Sequence, residues 1–317
     1  KMKFKKPKFW DFKKPNLLSY LLLPFTLPIR LNNLFLKFKS KKKDSKIKSI
    51  CVGNIYLGGT GKTPATIKLY EICKKLGLNI LTAKKYYKSQ LDEQIILKEK
   101  TNFITDKSRK KILKKALQNK IQLIIFDDGL QDINVNYDLQ IVCFDSESWI
   151  GNGCLIPSGP LRESIKSLMK YDAVFLKDEG PDIQNIISLI KDQNSQIKIF
   201  KTYYKPINLV DFDIHDKYLI FSGIGNPINF KKILIKNNLN IVEEIIFPDH
   251  HRYNKYDIIN IKAKSKELNA KIITTEKDYV KLSNSDRENI NCLKLELIID
   301  NESDLKNFIK LKLHEKN

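Results

Sequence analysis

Apolar residues along the chain fall into short runs that switch between two spacings, and the switches mark the elements. Ser49-Ile50-Cys51-Val52-Gly53-Asn54 is a continuous apolar run closed by glycine, which predicts a buried strand. Gly58 to Thr63 reads as a loop. Pro64 to Leu76 then carries Ile67, Tyr70, Ile72 and Cys73 at helical spacing and ends before Gly77, so a helix is expected there. Strands are predicted at Asn79 to Ala83, Asn102 to Thr105, Ile121 to Phe126 and Leu139 to Phe144, with helices at Leu91 to Lys98 and Ser108 to Asn119 between them. Strands alternating with helices in this way imply a parallel sheet covered on both faces, hence an α/β fold. A second, shorter series follows. Tyr218 to Phe221 is a strand, Asn226 caps and Pro227 opens a helix to Asn237, and Ile241 to Phe247 and Lys271 to Thr274 are further strands.

Pro206 and the polar residues between Lys205 and Asp213 interrupt the periodicity, which sets an expected boundary. The expected divisions are an N-terminal segment (1–46), a core (47–208) and a smaller C-terminal α/β domain (209–317) that closes a cleft against it. The apolar stretch from Leu17 to Phe38 is interrupted by Pro24, Pro28, Arg30, Asn32 and Asn33 and has no small-residue cleavage site after it, so neither a spanning helix nor a secretory signal is expected. Phe9, Trp10, Phe12, Leu17, Leu18, Tyr20 to Leu23, Phe25 and Leu27 lie between Lys clusters at 1–14 and 37–46. That layout suits a helix lying in the membrane interface against anionic head groups. The competing reading is an amphipathic helix packed on the protein's own core.

Composition changes this picture little. The chain has 317 residues, 57 basic and 36 acidic, for a formal charge of +21. Lys is dispersed from end to end, and acidic pairs interrupt the basic surface, so a nucleic-acid-binding protein is not expected. Five cysteines, Cys51, Cys73, Cys143, Cys154 and Cys292, form no CxxC pair and are expected to be reduced thiols of a cytosolic protein. Only four histidines are present, so magnesium is favoured over zinc as the metal.

The candidate chemistry lies at the first strand-to-helix turn, Gly58-Gly59-Thr60-Gly61-Lys62-Thr63-Pro64. Backbone N–H groups and a helix N-terminus there attract phosphate oxygens, Lys62 reaches the β- and γ-phosphates, and the Thr63 hydroxyl ligates magnesium. The strict pattern asks for glycine at position 56, where this chain has Tyr56. Asp127-Asp128, at the end of an apolar strand, is the expected second, acidic metal site. The expected fold is therefore P-loop NTPase-like and the expected ligands are ATP and Mg2+.

Gly53-Asn54 with Gly58 to Pro64 resembles the opening motif of the tetraacyldisaccharide 4′-kinase (lipid A 4′-kinase) family. Asp127-Asp128-Gly129-Leu130-Gln131 resembles its DDGFQ motif, and Ile156-Pro157-Ser158-Gly159-Pro160-Leu161-Arg162-Glu163 its PxGPLRE motif. Ser222 to Pro227, Phe247-Pro248-Asp249-His250 and Thr274-Thr275-Glu276-Lys277-Asp278 also match in order. The resemblance implies transfer of the γ-phosphoryl of ATP to the 4′-hydroxyl of a tetraacylated glucosamine disaccharide 1-phosphate. It implies a peripheral enzyme of lipid A biosynthesis at the cytoplasmic face of the inner membrane, with a lipid-linked substrate, an anionic membrane surface and no obligate protein partner. By the same resemblance, Asp92 is the base with His250 as its partner, and Arg162 stabilises phosphate charge. Thr63, Asp127 or Asp128, and Glu163 hold magnesium, while Glu93, Gln131 and Asn54 lie at the substrate.

Thr82-Ala83-Lys84-Lys85-Tyr86-Tyr87 stands where the family has SRGYG, Leu130 replaces a phenylalanine, and Asp132 replaces a histidine. Lys84 or Lys85 is the expected replacement for the missing arginine charge. The alternative reading is a P-loop GTPase or ATPase of the metallochaperone type acting on a protein partner. It requires an N-K-x-D motif, to which Thr275-Glu276-Lys277-Asp278 is the nearest approach.

Overall fold

The computed structural model describes residues 6–38, 47–132, 134–178, 180 and 182–314. The N-terminal stretch forms two helices, α1 (Leu17–Leu22) and α2 (Leu27–Phe38), separated by a 3-10 turn at Leu23–Thr26. Asn16 caps α1 by accepting from the Ser19 N–H, and Pro24 opens the turn. The expected single interfacial helix is thus two short ones. No helix of the described residues is long and apolar enough to cross a membrane. Expected basic positions 1–5 and 39–46 lie outside the described residues.

From there the chain alternates, beginning with β1 (Lys48–Gly53), α3 (Lys62–Lys74), β2 (Ile80–Lys85), α4 (Leu91–Lys100), β3 (Phe103–Asp106), α5 (Arg109–Gln118) and β4 (Leu123–Asp127). It continues through β5 (Leu139–Asp145), β6 (Ala173–Lys177), α6 (Ile183–Gln193), β7 (Lys198–Pro206), β8 (Lys217–Ser222), α7 (Pro227–Lys236) and β9 (Asn240–Ile246). Last come α8 (Lys255–Glu267), β10 (Lys271–Thr275), α9 (Glu276–Tyr279), β11 (Ile290–Leu293), β12 (Leu295–Ile299) and α10 (Glu302–His314). All five cysteines are free thiols.

Two compact units emerge. Among the described residues the larger contains 6–86, 100–203 and 297–314, the smaller 87–99 and 204–296. This differs from the expected divisions: the N-terminal stretch falls within the larger unit rather than apart, 87–99 and 204–208 join the smaller unit, and 297–314 join the larger. The reason is non-local pairing: β12 lies beside β7 at the edge of the large sheet, a partnership that local periodicity does not reveal.

The large sheet has the order β12-β7-β6-β5-β1-β4-β2-β3. β1 pairs in parallel with β4 on one side and β5 on the other. The strand order therefore reverses at β1, and in open parallel sheets the crevice beyond the carboxyl ends at such a point receives ligands. The core is built where the sequence is most apolar. Leu123, Ile124, Ile125 and Phe126 of β4 are buried, and Phe126 meets Tyr137 edge-on at 5.4 Å between centroids. Each such side chain contributes about 1.5–3 kcal/mol through its removal from water.

The N-terminal stretch is pinned to the loop that follows β5. Buried Trp10 donates from Nε1 to the Pro157 carbonyl (3.0 Å), Ser158 Oγ donates to the Ser19 carbonyl (2.6 Å), and Asn152 Nδ2 donates to Ser19 Oγ (2.9 Å). In the smaller unit the sheet order is β11-β10-β8-β9, with every pair parallel. One apolar cluster joins this sheet to Phe230 and Leu234 of α7, and a second joins it to Ile258 and Ile261 of α8. The sheet is therefore covered on both faces, as a fully parallel sheet requires.

At the end of β1, a Cβ added to Gly53 would fall 2.5 Å from Leu130 Cγ. Gly53→Ala is expected to destabilise the fold by about 1–3 kcal/mol through overpacking. Adding Leu130→Ala should cancel part of that cost, giving a clear non-additivity in a urea-melt double-mutant cycle. Strictly additive effects would show that the two positions do not press on each other.

Candidate nucleotide and base sites

The β1-to-α3 turn is held open by backbone conformation and by one internal brace. Gly61 sits at the helix N-cap with φ +80°, a left-handed conformation that favours glycine, and it lets α3 begin at Lys62, two residues earlier than the Pro64 start expected from sequence. Asn54 Nδ2 donates to Thr60 Oγ1 (3.0 Å) and to the Gly58 carbonyl (3.3 Å), so it fastens the loop from within. Gln131 Nε2 in turn donates to the Asn54 carbonyl (3.0 Å), which joins the DDGLQ stretch to this loop. Tyr56 points away from phosphate chemistry. It is buried, forms a bridge with Leu161, donates from its hydroxyl to Asp11 (3.1 Å), and lies beneath the Lys6 ammonium. The departure from the strict glycine pattern thus ties the loop to the N-terminal stretch.

Asp127 is the centre of the site. In-register parallel pairing sets it beside Val52 on β1 and beside Lys84 on β2. Its Oδ2 accepts from Thr63 Oγ1 at 2.8 Å and from Lys84 Nζ at 2.9 Å, and both charged side chains are almost wholly buried. A buried ammonium is tolerable only with such a partner. Asp127 Oδ1 is buried and has no hydrogen-bond partner among the described residues. An orphaned carboxylate oxygen beside a threonine hydroxyl is a donor set that suits Mg2+, which takes oxygen ligands and keeps its other positions for phosphates and water.

Two of the expected metal ligands are engaged elsewhere. Asp128, at φ +61°, pairs through Oδ1 with Arg162 Nη1 at 3.3 Å. Glu163 accepts from Gln131 Nε2 (2.9 Å), Tyr171 Oη (2.7 Å) and Lys170 Nζ (2.6 Å). Among the described residues no group of three His, Cys, Asp or Glu side chains comes together as a metal cluster. The structure therefore joins Thr63 with Asp127 and leaves Asp128, Arg162 and Glu163 in a surrounding network.

In the smaller unit, Asp92 and Glu93 occupy the first turn of α4. Asp92, though distant from it in sequence, meets His250, whose Nδ1 lies 2.9 Å from Oδ2 and 3.0 Å from Oδ1. His250 itself has φ +56°, a strained conformation for a side chain with a Cβ. Lys281 Nζ is 3.6 Å and Lys277 Nζ 3.9 Å from Asp92 Oδ2, and Lys277 also meets Glu93 (3.3 Å) and Asp249 (3.4 Å). Burial pushes the Asp92 carboxyl up, but the hydrogen bond from His250 and the charges of Lys277 and Lys281 outweigh it and hold the carboxyl below its ordinary range. Desolvation likewise works against the Lys277 charge, and Glu93, Asp249 and Asp92 reverse the effect, so Lys277 stays an ammonium ion.

Lys277 and Lys281 are functional candidates that sequence reasoning missed. For Lys277 the signal was the TTEKD match, which placed a lysine beside acids without showing which acids it would face; Lys281 lies outside that match and carried no sequence signal. Asp278 is fully buried, accepting from the Gly223 N–H (2.9 Å), Thr275 Oγ1 (2.7 Å), Tyr253 Oη (2.9 Å) and Lys281 Nζ (2.8 Å). A carboxylate so occupied cannot read a guanine edge, which removes the main support for the GTPase alternative.

The tetraacyldisaccharide-1-P 4′-kinase family profile matches residues 16–314. The chain belongs to this family. It is 46% identical over 318 residues to the tetraacyldisaccharide 4′-kinase of Pelagibacter ubique, covering all of both chains. It is 36% identical to that of Rickettsia felis, covering 93% of each. The fold is that of the Aquifex aeolicus LpxK crystal structure in complex with ATP, with a TM-score of 0.72 and 23% identity over 94% of this chain and 100% of that one.

The lowered Asp92 value gives a signed pH dependence. Its contribution to stability is complete above the unfolded carboxylate value of about 3.9 and disappears as pH falls through the depressed folded value. Denaturant melts of wild type and Asp92→Asn should therefore differ most near neutrality and converge in acid. A gap that does not change with pH would contradict the assignment.

Proposed function

We propose that the chain transfers the γ-phosphoryl of ATP to the 4′-hydroxyl of a tetraacylated disaccharide 1-phosphate, with the larger unit binding nucleotide and the smaller supplying the base. The Thr63–Asp127 contact at the carboxyl end of β1 carries the nucleotide half of this reading. Family membership carries the acceptor. Backbone amides of the Gly58–Thr63 loop grip the phosphate oxygens, and Lys62 carries charge to the β- and γ-phosphates. Thr63 and Asp127 would hold Mg2+, which would supply neutralisation of the phosphate charge. Arg162, already held by Asp128, faces developing negative charge on the transferred group. Asp92 takes the proton of the acceptor hydroxyl as its oxygen bonds to the γ-phosphorus and the bond to the ADP oxygen breaks. His250 fixes the Asp92 carboxylate in place and shares the charge of that proton.

The N-terminal helices supply the membrane contact. Leu17, Leu21, Phe25 and Leu31 are each at least 60% exposed, and Leu18, Tyr20 and Leu27 are more than half exposed. An acceptor with four acyl chains stays in the bilayer, so the enzyme comes to it, and ATP places this on the cytoplasmic face. Each apolar side chain that enters the interface contributes about 1.5–3 kcal/mol, and each nearby Lys about 1 kcal/mol.

Two experiments test this. Lys62→Ala should lower kcat/KM for ATP by about 10²–10³-fold in a folded protein, and Asp92→Ala should lower kcat by about 10²–10⁴-fold with the KM for ATP little changed. A kinase assay with radiolabelled ATP and the acylated disaccharide phosphate decides between these outcomes and retained turnover. In liposome flotation with anionic lipid, Leu17→Ser/Leu21→Ser/Phe25→Ser should shift the protein from the lipid layer to the buffer. An unchanged lipid-bound fraction would remove the helices from the membrane contact.

A further inference from the structure

The imidazole of His250 has a second nitrogen, and the proton transfer to Asp92 leaves it without a task. Nε2 faces Lys277, whose Nζ lies 3.5 Å away. The same ammonium is 3.3 Å from Glu93 Oε1 and 3.4 Å from Asp249 Oδ1, so its three N–H bonds have three acceptors within 3.5 Å. Lys277 keeps its charge despite burial because these acids and Asp92 surround it.

The partners of the two ring nitrogens decide where the imidazole proton sits. Nδ1 lies 2.9 and 3.0 Å from the oxygens of Asp92, and an ionised carboxylate only accepts, so Nδ1 donates. An ammonium only donates, so Nε2 opposite Lys277 accepts. One state meets both demands, the neutral ring with its proton on Nδ1. An imidazolium would turn an Nε2–H toward the ammonium. The carboxylates nearest that nitrogen, Asp249 at 3.8 Å and Glu93 at 4.0 Å, are too distant to accept it. The charged groups facing the ring or its Asp92 partner are Asp92 and Glu93 from α4, Asp249 from its own loop, Lys277 from α9 and Lys281 just after it. His251 is turned aside to Asp257 (2.9 Å), and Asp278 binds Lys281 (2.8 Å). Three acids thus favour a charged ring, and the lysine that stands against Nε2 opposes them.

We propose that Lys277 is a positioning residue for phosphoryl transfer, its ammonium group fixing His250 as the neutral Nδ1–H tautomer so that Asp92 keeps its strength as a base. The proposal rests on the reading of Asp92 as the base and deepens it. A neutral Nδ1–H steadies the carboxylate by hydrogen bonding while the proton of the acceptor hydroxyl passes to Asp92. An imidazolium in its place would add an ion pair that favours the ionised carboxylate and weakens it as a proton acceptor.

Nitrogen-15 NMR of the histidine-labelled chain reads the ring without nucleotide or turnover, with His250 identified by the signal that disappears in His250→Gln. At slightly alkaline pH wild type should carry a proton on Nδ1 and none on Nε2, whereas Lys277→Met should show an imidazolium. A wild-type ring protonated on Nε2, or the same state in both proteins, overturns the proposal. The wild-type spectrum decides even if Lys277→Met does not fold. In the kinase assay at neutral pH, Lys277→Met should lower kcat by about 10- to 100-fold, the loss typical of partners that fix a functional histidine's tautomer, with the KM for ATP unchanged. Lys277→Arg should recover most of that loss. The deficit of Lys277→Met should also shrink as pH rises, because the imidazolium gives up its proton and Asp92 regains its strength. A deficit of the same size at every pH would make Lys277 a structural residue only and overturn the proposal. Wild-type turnover in Asp92→Ala would instead defeat the base reading, and the NMR result would still judge the hold of Lys277 on the ring.

Discussion

The Asp127 carboxylate is where the constraints on the larger unit meet. Its Oδ2 takes the Thr63 hydroxyl from the start of α3 and the Lys84 ammonium from β2, while its backbone is fixed by parallel pairing to β1 and β2. Two bonds on one oxygen fix the carboxylate's rotation. The second oxygen is buried and has no hydrogen-bond partner among the described residues, which suits the metal role proposed for it. Preorganisation has an energetic cost, because burying a carboxylate and an ammonium costs several kcal/mol per ion before their attraction offsets it. The apolar β4 strand, Leu123 to Phe126, gives the surrounding structure the rigidity to sustain that arrangement.

A comparable logic holds in the smaller unit, with different parts. Asp92 is buried on the first turn of α4, and a histidine with a left-handed backbone faces it. Lys277 and Lys281 supply positive charge, and Asp278 anchors Lys281 while binding the Gly223 amide and the Tyr253 hydroxyl. The SGIGNP, FPDH and TTEKD stretches are therefore one structural device, built around a single carboxylate. In both units a carboxylate is presented by a rigid element and oriented by neighbours far away in sequence.

Much of this was legible from residues alone. The apolar runs at Ile50 to Val52 and Ile121 to Phe126 mark the central strands, and the glycine-rich run before Lys62 marks the turn into α3, because both depend on local pattern. The Asp92–His250 pairing was reached through the family resemblance, since no periodicity links residues so far apart. Other features were not legible for the same reason. Lys84 is read from sequence, with Lys85, as a replacement for the missing arginine charge, and only its register opposite Asp127 reveals it as a buried ion-pair partner. Tyr56 reads as a defect in the loop, yet it packs against the N-terminal stretch. Glu163 follows an arginine in a ligand-like motif, but its oxygens are taken by Gln131, Tyr171 and Lys170. Side-chain commitments of this kind depend on tertiary partners.

The most direct measurement is the affinity for ATP, with Mg2+ and with EDTA, in wild type and in Asp127→Asn, alongside a melt confirming that the variant is folded. The account predicts that Mg2+ tightens ATP binding in wild type and that this increment disappears in the variant while metal-free binding persists. An equal Mg2+ increment in both proteins would contradict it.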